Sequence, residues 1–453
     1  MDAIFPRNFR RRYPTAARGE GVYLYDEQGK RYLDACGGAA VVTIGHGVKE
    51  VVEAMAQQAA SLAYAHTSQF HTRAAAELAE FLSAKFPVER REQAPALQAG
   101  ARVFFTSGGS EATETAIKIA RQYWLSRGEP QRHILISRWH GYHGATLGAL
   151  AVSGNRRRRE AYGPLLPPSR LISACFCYHC PLGLEFPACE LACAHELERA
   201  IHEAGPERVA GFILEPIVGA TSGAVPPEGY LRTVREICDR HRLLLIADEV
   251  MTGAGRTGKY FAVEHWQVAP DIILAGKGLS SGYAPLGAVL VAEKVWRAIA
   301  AGTTSLDHGF TYQGHPPSLA AGLAVQRFIE KHGLLEQARM RGEYLARRLE
   351  SLRALPVVGD VRGRGLLQTV EFVADRQARA PVPPEVKFSE RLFERLSERG
   401  VLVYPMKGTA DGLSGDHILI APPFVIEEDE IDLLVEQLEA AIAEVAAQPI
   451  SPS

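Results

Sequence analysis

An α/β fold with a mostly parallel sheet, covered on both faces, is predicted by three features of the sequence. Short apolar runs alternate with helical patterns through the middle of the 453-residue chain, as strands do when crossover helices join them. One of those runs, LLLIAD at 243–248, is apolar almost throughout, the mark of a strand buried on both faces. Mixed strand and helix patterns return at both chain ends, which suggests a smaller domain assembled from the two termini.

Taken in order, residues 21–33 (GVYLYDEQGKRYL) alternate apolar and polar positions around Asp26-Glu27-Gln28-Gly29, a hairpin pattern with turn chemistry at its centre. Helical periodicity follows over 48–62 and 72–86, and the polar stretch 87–101 reads as a loop. Strands are expected at 101–106, 133–137, 209–214, 243–248, 272–275 and 288–292, with helices at 110–127 and 230–241. Residues 318–350 are helical in pattern and read as a long connector. From residue 357 the order is strand, strand, helix (388–399), strand, and an amphipathic helix over 427–447, with a tail to 453 that should fray. These patterns place a small α+β domain in residues 1–65 and 326–453 and a large domain in 66–325.

The composition narrows function. Apolar residues make up 47% and charged residues 23%, which is globular, and 50 basic against 52 acidic residues leave a net charge of −2. That balance lacks the basic footprint of a nucleic-acid-binding protein. The one concentrated positive run, Arg156 to Arg159, reads as a solvated loop. No run of about 18 apolar residues appears, so no membrane helix is expected. Residues 1–13 are arginine-rich without an apolar core, so a cytoplasmic enzyme is expected.

Four segments carry chemistry. In DIILAGKGLSSGYAPLGA (271–288) an apolar strand ends at Lys277 between two glycines, where desolvation would free a neutral amine. Asp248 closes the buried strand 243–248, at the strand end where α/β sheets bind ligands, and Val250 should point the same way. TSGGSEA (106–112) joins a strand to a helix start and can hold a phosphate on free backbone amides. WHGYHGAT (139–146) sets aromatic rings among small residues, which suits stacking on a flat ligand. Each has an ordinary counterpart: a surface lysine, a turn-capping aspartate, a plain connection, a core-edge aromatic. Together they supply an amine for an aldehyde, an acid for a pyridinium, a phosphate cradle and a stacking ring, which is a pyridoxal phosphate site.

With those residues in place, the chain resembles the class III aminotransferases of the fold type I pyridoxal phosphate superfamily. The likeness runs from GVYLYDEQGKRYLD to GDHILIAPPF (415–424). It implies a large domain with a mostly parallel seven-stranded sheet beside the small α+β domain. It implies that Lys277 is the Schiff-base lysine, Asp248 the pyridinium partner, Val250 and Tyr142 the two walls of the ring, and Gly109 and Ser110 the phosphate turn. Thr311, in GFTYQGHP, matches a threonine that reaches the neighbouring subunit's cofactor, which implies an obligate homodimer and leaves a tetramer open. Glu215, in LEP, matches a glutamate near cofactor and substrate. The implied reaction passes an amino group from an amine to an oxo acid in two half-reactions through Lys277. Decarboxylating, racemising and aminomutase chemistries of the same family keep the same residues. A metal-regulated or redox-sensing protein with a vestigial site is a more distant alternative.

Two departures matter. Leu419 stands where relatives acting on α-amino acids carry a carboxylate-binding arginine, and the loop 407–414 (KGTADGLS) has no arginine. Amines, diamines or ω-amino acids are therefore expected as donors, with Lys407, Arg364 or backbone groups holding the acceptor. Five of the seven cysteines, Cys175, Cys177, Cys180, Cys189 and Cys193, lie in an expected insertion at 173–195 together with His179. Their spacing resembles a zinc or iron–sulfur ligand set, with free thiols and disulfides as open alternatives. Cys36 and Cys238 read as isolated packing residues.

Overall fold

A computed structural model describes residues 3–87 and 100–447. Most of the expected loop at 87–101 and nearly all of the tail after 447 lie outside the described residues.

Seven strands form the central sheet in the order Arg102–Thr106, Gly287–Val291, Ile272–Ala275, Leu244–Asp248, Val209–Leu214, Ile134–Arg138, Arg170–Ile172. Gly287–Val291 runs antiparallel to both neighbours, and every other pairing is parallel. Burial explains the uniformly apolar strands: Val209–Leu214 and Leu244–Asp248 are buried at every position. On one face the helix Gly109–Ser126 presents Ala112, Ala116 and Ala120, small residues that let it lie close to Ile246, Ile272 and Val289. On the other, Leu78, Leu82, Leu319 and Leu323 cover Ile273, Ala288 and Leu290.

The chain ends meet in a second structure. Tyr23–Asp26 and Arg31–Asp34 form the expected hairpin, with Tyr23 opposite Leu33, and Val401–Leu402 runs parallel to Arg31–Asp34. Val358–Arg364, Leu367–Asp375, Asp416–Ile420 and Tyr404–Lys407 form a separate antiparallel sheet. Leu33, Ile44 and Val51 from the start of the chain share a core with Phe372, Phe388 and Leu438 from its end.

The structure corrects several expectations. The helical stretch 318–350 is two helices, Pro316–Lys331 and Leu334–Leu349, parted at Gly333, whose φ of 60° ends the first. Arg170–Ile172, at three residues, was too short to show a period, and Ala16–Glu20 is mostly exposed and shows no apolar alternation. The arginine run is not a loop: residues Arg156–Tyr162 form a helix capped by Asn155.

The cysteine segment is also different from its expectation. It ends in the helix Ala192–Ala204, which carries Cys193 and buries Ala194, Leu197, Ile201 and Ala204. All seven cysteines are free thiols. Among the described residues no three His, Cys, Asp or Glu side chains converge to hold a metal. His179 is already engaged, with Nε2 2.6 Å from Glu371 Oε1, and Glu371 also binds Arg362 at 2.7 Å. The Cys175 thiol hydrogen-bonds Cys193; burial raises the pKa of Cys175, and that hydrogen bond lowers the pKa of Cys193. Cys175, Cys177, Cys180, Cys189 and Cys193 are thus not supported as a zinc or iron–sulfur site.

One buried cation ties the segments around the sheet edge together. Arg256 donates to the carbonyls of Val42 (2.8 Å), Leu366 (3.3 Å) and Pro422, with its guanidinium over the Phe424 ring at 4.8 Å. Arg256→Met would leave those carbonyls without a partner and is expected to destabilise the fold by about 3 kcal/mol, read as a lower urea midpoint; an unchanged midpoint would contradict this role. A thiol titration of the protein, purified without reductant and then denatured, should find all seven cysteines reactive; a count of five or fewer would indicate a disulfide.

Candidate active site

Parallel strands place their C-terminal ends on one edge of the sheet, and the sequence loads that edge. Asp248 ends Leu244–Asp248, Glu215 follows Val209–Leu214, and Lys277 stands two residues after Ile272–Ala275. The WHGYHGAT segment follows Ile134–Arg138, and the turn after Arg102–Thr106 opens the helix at Gly109. Seven residues singled out in the sequence, Gly109, Ser110, Tyr142, Glu215, Asp248, Val250 and Lys277, line one cavity of about 180 Å³.

Lys277 is held in a left-handed backbone conformation, φ 43°, which is uncommon for a residue with a side chain and recurs at functional sites. Its neighbour Gly278 cannot be larger, since a Cβ there would lie 2.9 Å from Thr43 Cγ2. Burial lowers the Lys277 pKa to about 8, against the attraction of Glu215 and Asp248, while Arg256 and Arg158 push the same way as burial. The amine is therefore about half neutral near pH 8.

Asp248 is buried and fixed from both sides. Its Oδ2 lies 2.7 Å from His143 Nδ1, and its Oδ1 accepts from the Val250 backbone amide at 3.1 Å. His143 is itself locked: its amide donates to Ser153 Oγ (2.8 Å) and its carbonyl accepts from Thr113 Oγ1 (2.6 Å). Sequence reasoning assigned Tyr142 and passed over His143, although a polar ring directly after the stacking position was the available signal. Glu215 accepts from the amides of Tyr142 (2.8 Å) and Gly219 (3.0 Å), and burial raises its pKa. Those bonds set the Tyr142 backbone at the cavity wall.

The helix Gly109–Ser126 has no side-chain cap at Gly108, so its first amides remain open at the cavity. Gly109 is required by packing, as a Cβ there would sit 2.8 Å from Val250 Cγ1. Ser110 Oγ accepts from the Ala145 amide at 3.0 Å, joining the two cavity loops. An amine of low basicity, a clamped carboxylate, an aromatic and a branched wall, and an uncapped helix end are the donor set that pyridoxal phosphate requires, so the residues present fit that cofactor.

Thr311 is placed elsewhere. It is exposed, lines a different cavity, and its carbonyl accepts from the Tyr64 hydroxyl at 2.9 Å. Neither suggested side-chain carboxylate holder lines this cavity: Lys407 pairs with Glu390 at 2.9 Å, and Arg364 lies over Trp266 at 5.6 Å. Leu419 is buried in the same apolar cluster as Met251 and Ala220, which line the cavity. In the arginine run, Arg159 donates to the carbonyls of Leu150, Ala151 and Ser153, and Arg156 reaches the Asp411 carbonyl at 3.2 Å.

In the ligand-free protein, modification of Lys277 by an amine-reactive reagent, followed by peptide mass spectrometry, should rise with pH through a midpoint near 8. Asp248→Asn removes an attraction that favours the charged amine, so it should shift that midpoint lower. A midpoint near that of an ordinary lysine, about 10.4, would refute the desolvation.

The Aminotransferase class-III family model matches residues 5–442. The aminotransferase YodT of Bacillus subtilis is 40% identical over 435 residues, covering 96% of each chain. The diaminobutyrate–2-oxoglutarate transaminase of Halomonas elongata is 35% identical and covers 94% of this chain and 89% of its own. Among solved structures, an amine transaminase from an uncultivated Pseudomonas species is 38% identical with a TM-score of 0.89, covering 97% of this chain and 96% of its own. A cavity that gathers the seven residues singled out in the sequence, and a family match over almost the whole length, lead to one assignment: the chain belongs to the class III aminotransferases.

Proposed function

We propose that this aminotransferase takes its amino group from an amine, a diamine or an ω-amino acid and passes it to an oxo acid such as pyruvate. The observation that carries the choice of donor is the apolar wall of the cavity, Ala220, Val250 and Met251, together with a leucine, Leu419, at the position where an arginine would hold a carboxylate. An α-carboxylate placed against that wall would lose its hydration without gaining a partner. The amine transaminase and the diaminobutyrate transaminase among the relatives support the same donor class.

Bound pyridoxal phosphate would supply an aldehyde and an electron-withdrawing ring for the carbon that carries the amino group. The protein's own groups do the rest. Lys277 would hold the cofactor covalently at rest; once the donor amine has displaced it, its freed Nζ would take the proton from the carbon that bears the amino group and deliver it to the former aldehyde carbon, two bonds away. Asp248, kept in orientation by His143, holds a proton on the ring nitrogen. Tyr142 and Val250 fix the plane of the ring, and the open helix end at Gly109 and Ser110 binds the phosphate. Thr311, exposed beside Tyr64 and Tyr312, reaches the phosphate in a second copy of the chain, so the working unit is a homodimer.

The test is spectroscopic. With cofactor bound, adding 1-phenylethylamine, a diamine or β-alanine should bleach the visible band, and pyruvate should restore it. Lys277→Ala should abolish both changes and turnover. A band unmoved by every amine would overturn the donor assignment, and carbon dioxide release would indicate decarboxylating chemistry instead.

A further inference from the structure

The proposed reaction needs an acceptor carboxylate to be held, and the residues suggested for that task in the sequence are engaged elsewhere. A different cation stands on Tyr142, one of the residues that line the cavity. Arg158 donates from Nη1 to the Tyr142 hydroxyl at 3.1 Å, and its guanidinium lies over the Tyr142 ring, 4.6 Å from the centroid. Tyr142 lines the same cavity as Lys277 and Asp248. Arg158 is exposed, and among the described residues no carboxylate pairs with it. Its two flanking arginines that face the fold are committed, Arg156 to the Asp411 carbonyl and Arg159 to three carbonyls near Ser153. The helix Arg156–Tyr162 is thereby pinned at two points, which fixes the approach of Arg158 to Tyr142.

We propose that Arg158 is the carboxylate anchor of the substrate site, holding the acceptor oxo acid and the carboxylate of an ω-amino acid donor. A guanidinium with one donor spent on a tyrosine still offers a two-pronged edge to a carboxylate, the geometry in which Arg exceeds Lys. Stacking on Tyr142 restricts its rotamers before the substrate arrives, so less freedom is lost on binding. The arrangement also reconciles two features of the site: the lining by Ala220, Val250 and Met251 accepts apolar substituents, while the guanidinium on Tyr142 accepts a carboxylate. Arg158 is also near enough to Lys277 to depress its basicity, which ties it electrostatically to the reacting amine.

This inference rests on the transaminase reading, so its test separates the two. The holoenzyme would be compared with Arg158→Met, which keeps the apolar stem over the ring, with Arg158→Lys, and with Arg157→Met as the neighbouring control. Arg158→Met should raise KM for pyruvate about 10- to 100-fold, the range for one charged hydrogen-bonding pair, with kcat largely kept. The rate of band bleaching by uncharged-tail 1-phenylethylamine should stay within about twofold. Calorimetric binding of propionate, a non-reacting carboxylate, should weaken by the same factor as the pyruvate KM rises. Arg158→Lys should recover part of both losses, and Arg157→Met should change neither. Unchanged propionate binding and pyruvate KM in Arg158→Met would overturn the anchor, as would an equal loss with the neutral amine. If no amine bleaches the wild-type band, the transaminase reading fails, and propionate binding still decides the role of Arg158.

Discussion

The desolvation of Lys277 is the constraint on which the site depends. An amine taken out of water loses basicity, and two buried carboxylates nearby restore part of it, leaving its pKa at about 8. Without Asp248 and Glu215 the amine would be more neutral still; without burial it would be a permanently charged, unreactive ammonium. The carboxylates need their own compensation at that depth. Asp248 receives it from His143 and the Val250 amide, and Glu215 from the amides of Tyr142 and Gly219. The hydrogen bonds that stabilise the charges are thus also the ones that fix the stacking ring and the apolar wall.

Such a balance requires rigid supports on every side, and the fold supplies them. Four strand ends deliver their residues to one edge, because parallel pairing forces those ends to coincide. Arg256 then closes the periphery, binding carbonyls from the chain's start, from the turn after Val358–Arg364 and from the segment after Asp416–Ile420. That buried guanidinium, the packing of Gly278 on Thr43 and the bonds from the Thr43 and Ile44 amides to Ser281 Oγ are among the contacts that join the chain ends to the catalytic edge.

Much of this was legible in the sequence, and the physical reasons are specific. LLLIAD and DIILA announce buried strands because parallel strands covered on both faces leave no polar alternation, and Asp248 and Lys277 stand out as charges at their ends. The glycines of TSGGSEA were readable as a strand-to-helix turn, whereas the demand Val250 places on Gly109 is a contact between distant segments that no local pattern encodes. His143 escaped notice because its role arises only when Asp248, 105 residues away in sequence, is brought within hydrogen-bonding distance. The arginine run misled for a related reason. Four adjacent like charges resemble a solvated stretch, but three of them, Arg156, Arg158 and Arg159, reach different partners once the helix Arg156–Tyr162 forms. The cysteine spacing gained no support as a ligand set: among the described residues no metal-holding group forms, Cys193 lies on the helix Ala192–Ala204, and His179 is paired with Glu371.

The central claim is that one lysine among all those in the chain carries the cofactor. Borohydride reduction of the enzyme loaded with pyridoxal phosphate, followed by proteolysis and mass spectrometry, tests it directly. The result expected is a single pyridoxyl-modified peptide containing Lys277, at close to one adduct per chain. Modification of a different lysine, or an adduct spread over several surface lysines with Lys277 untouched, would contradict the account.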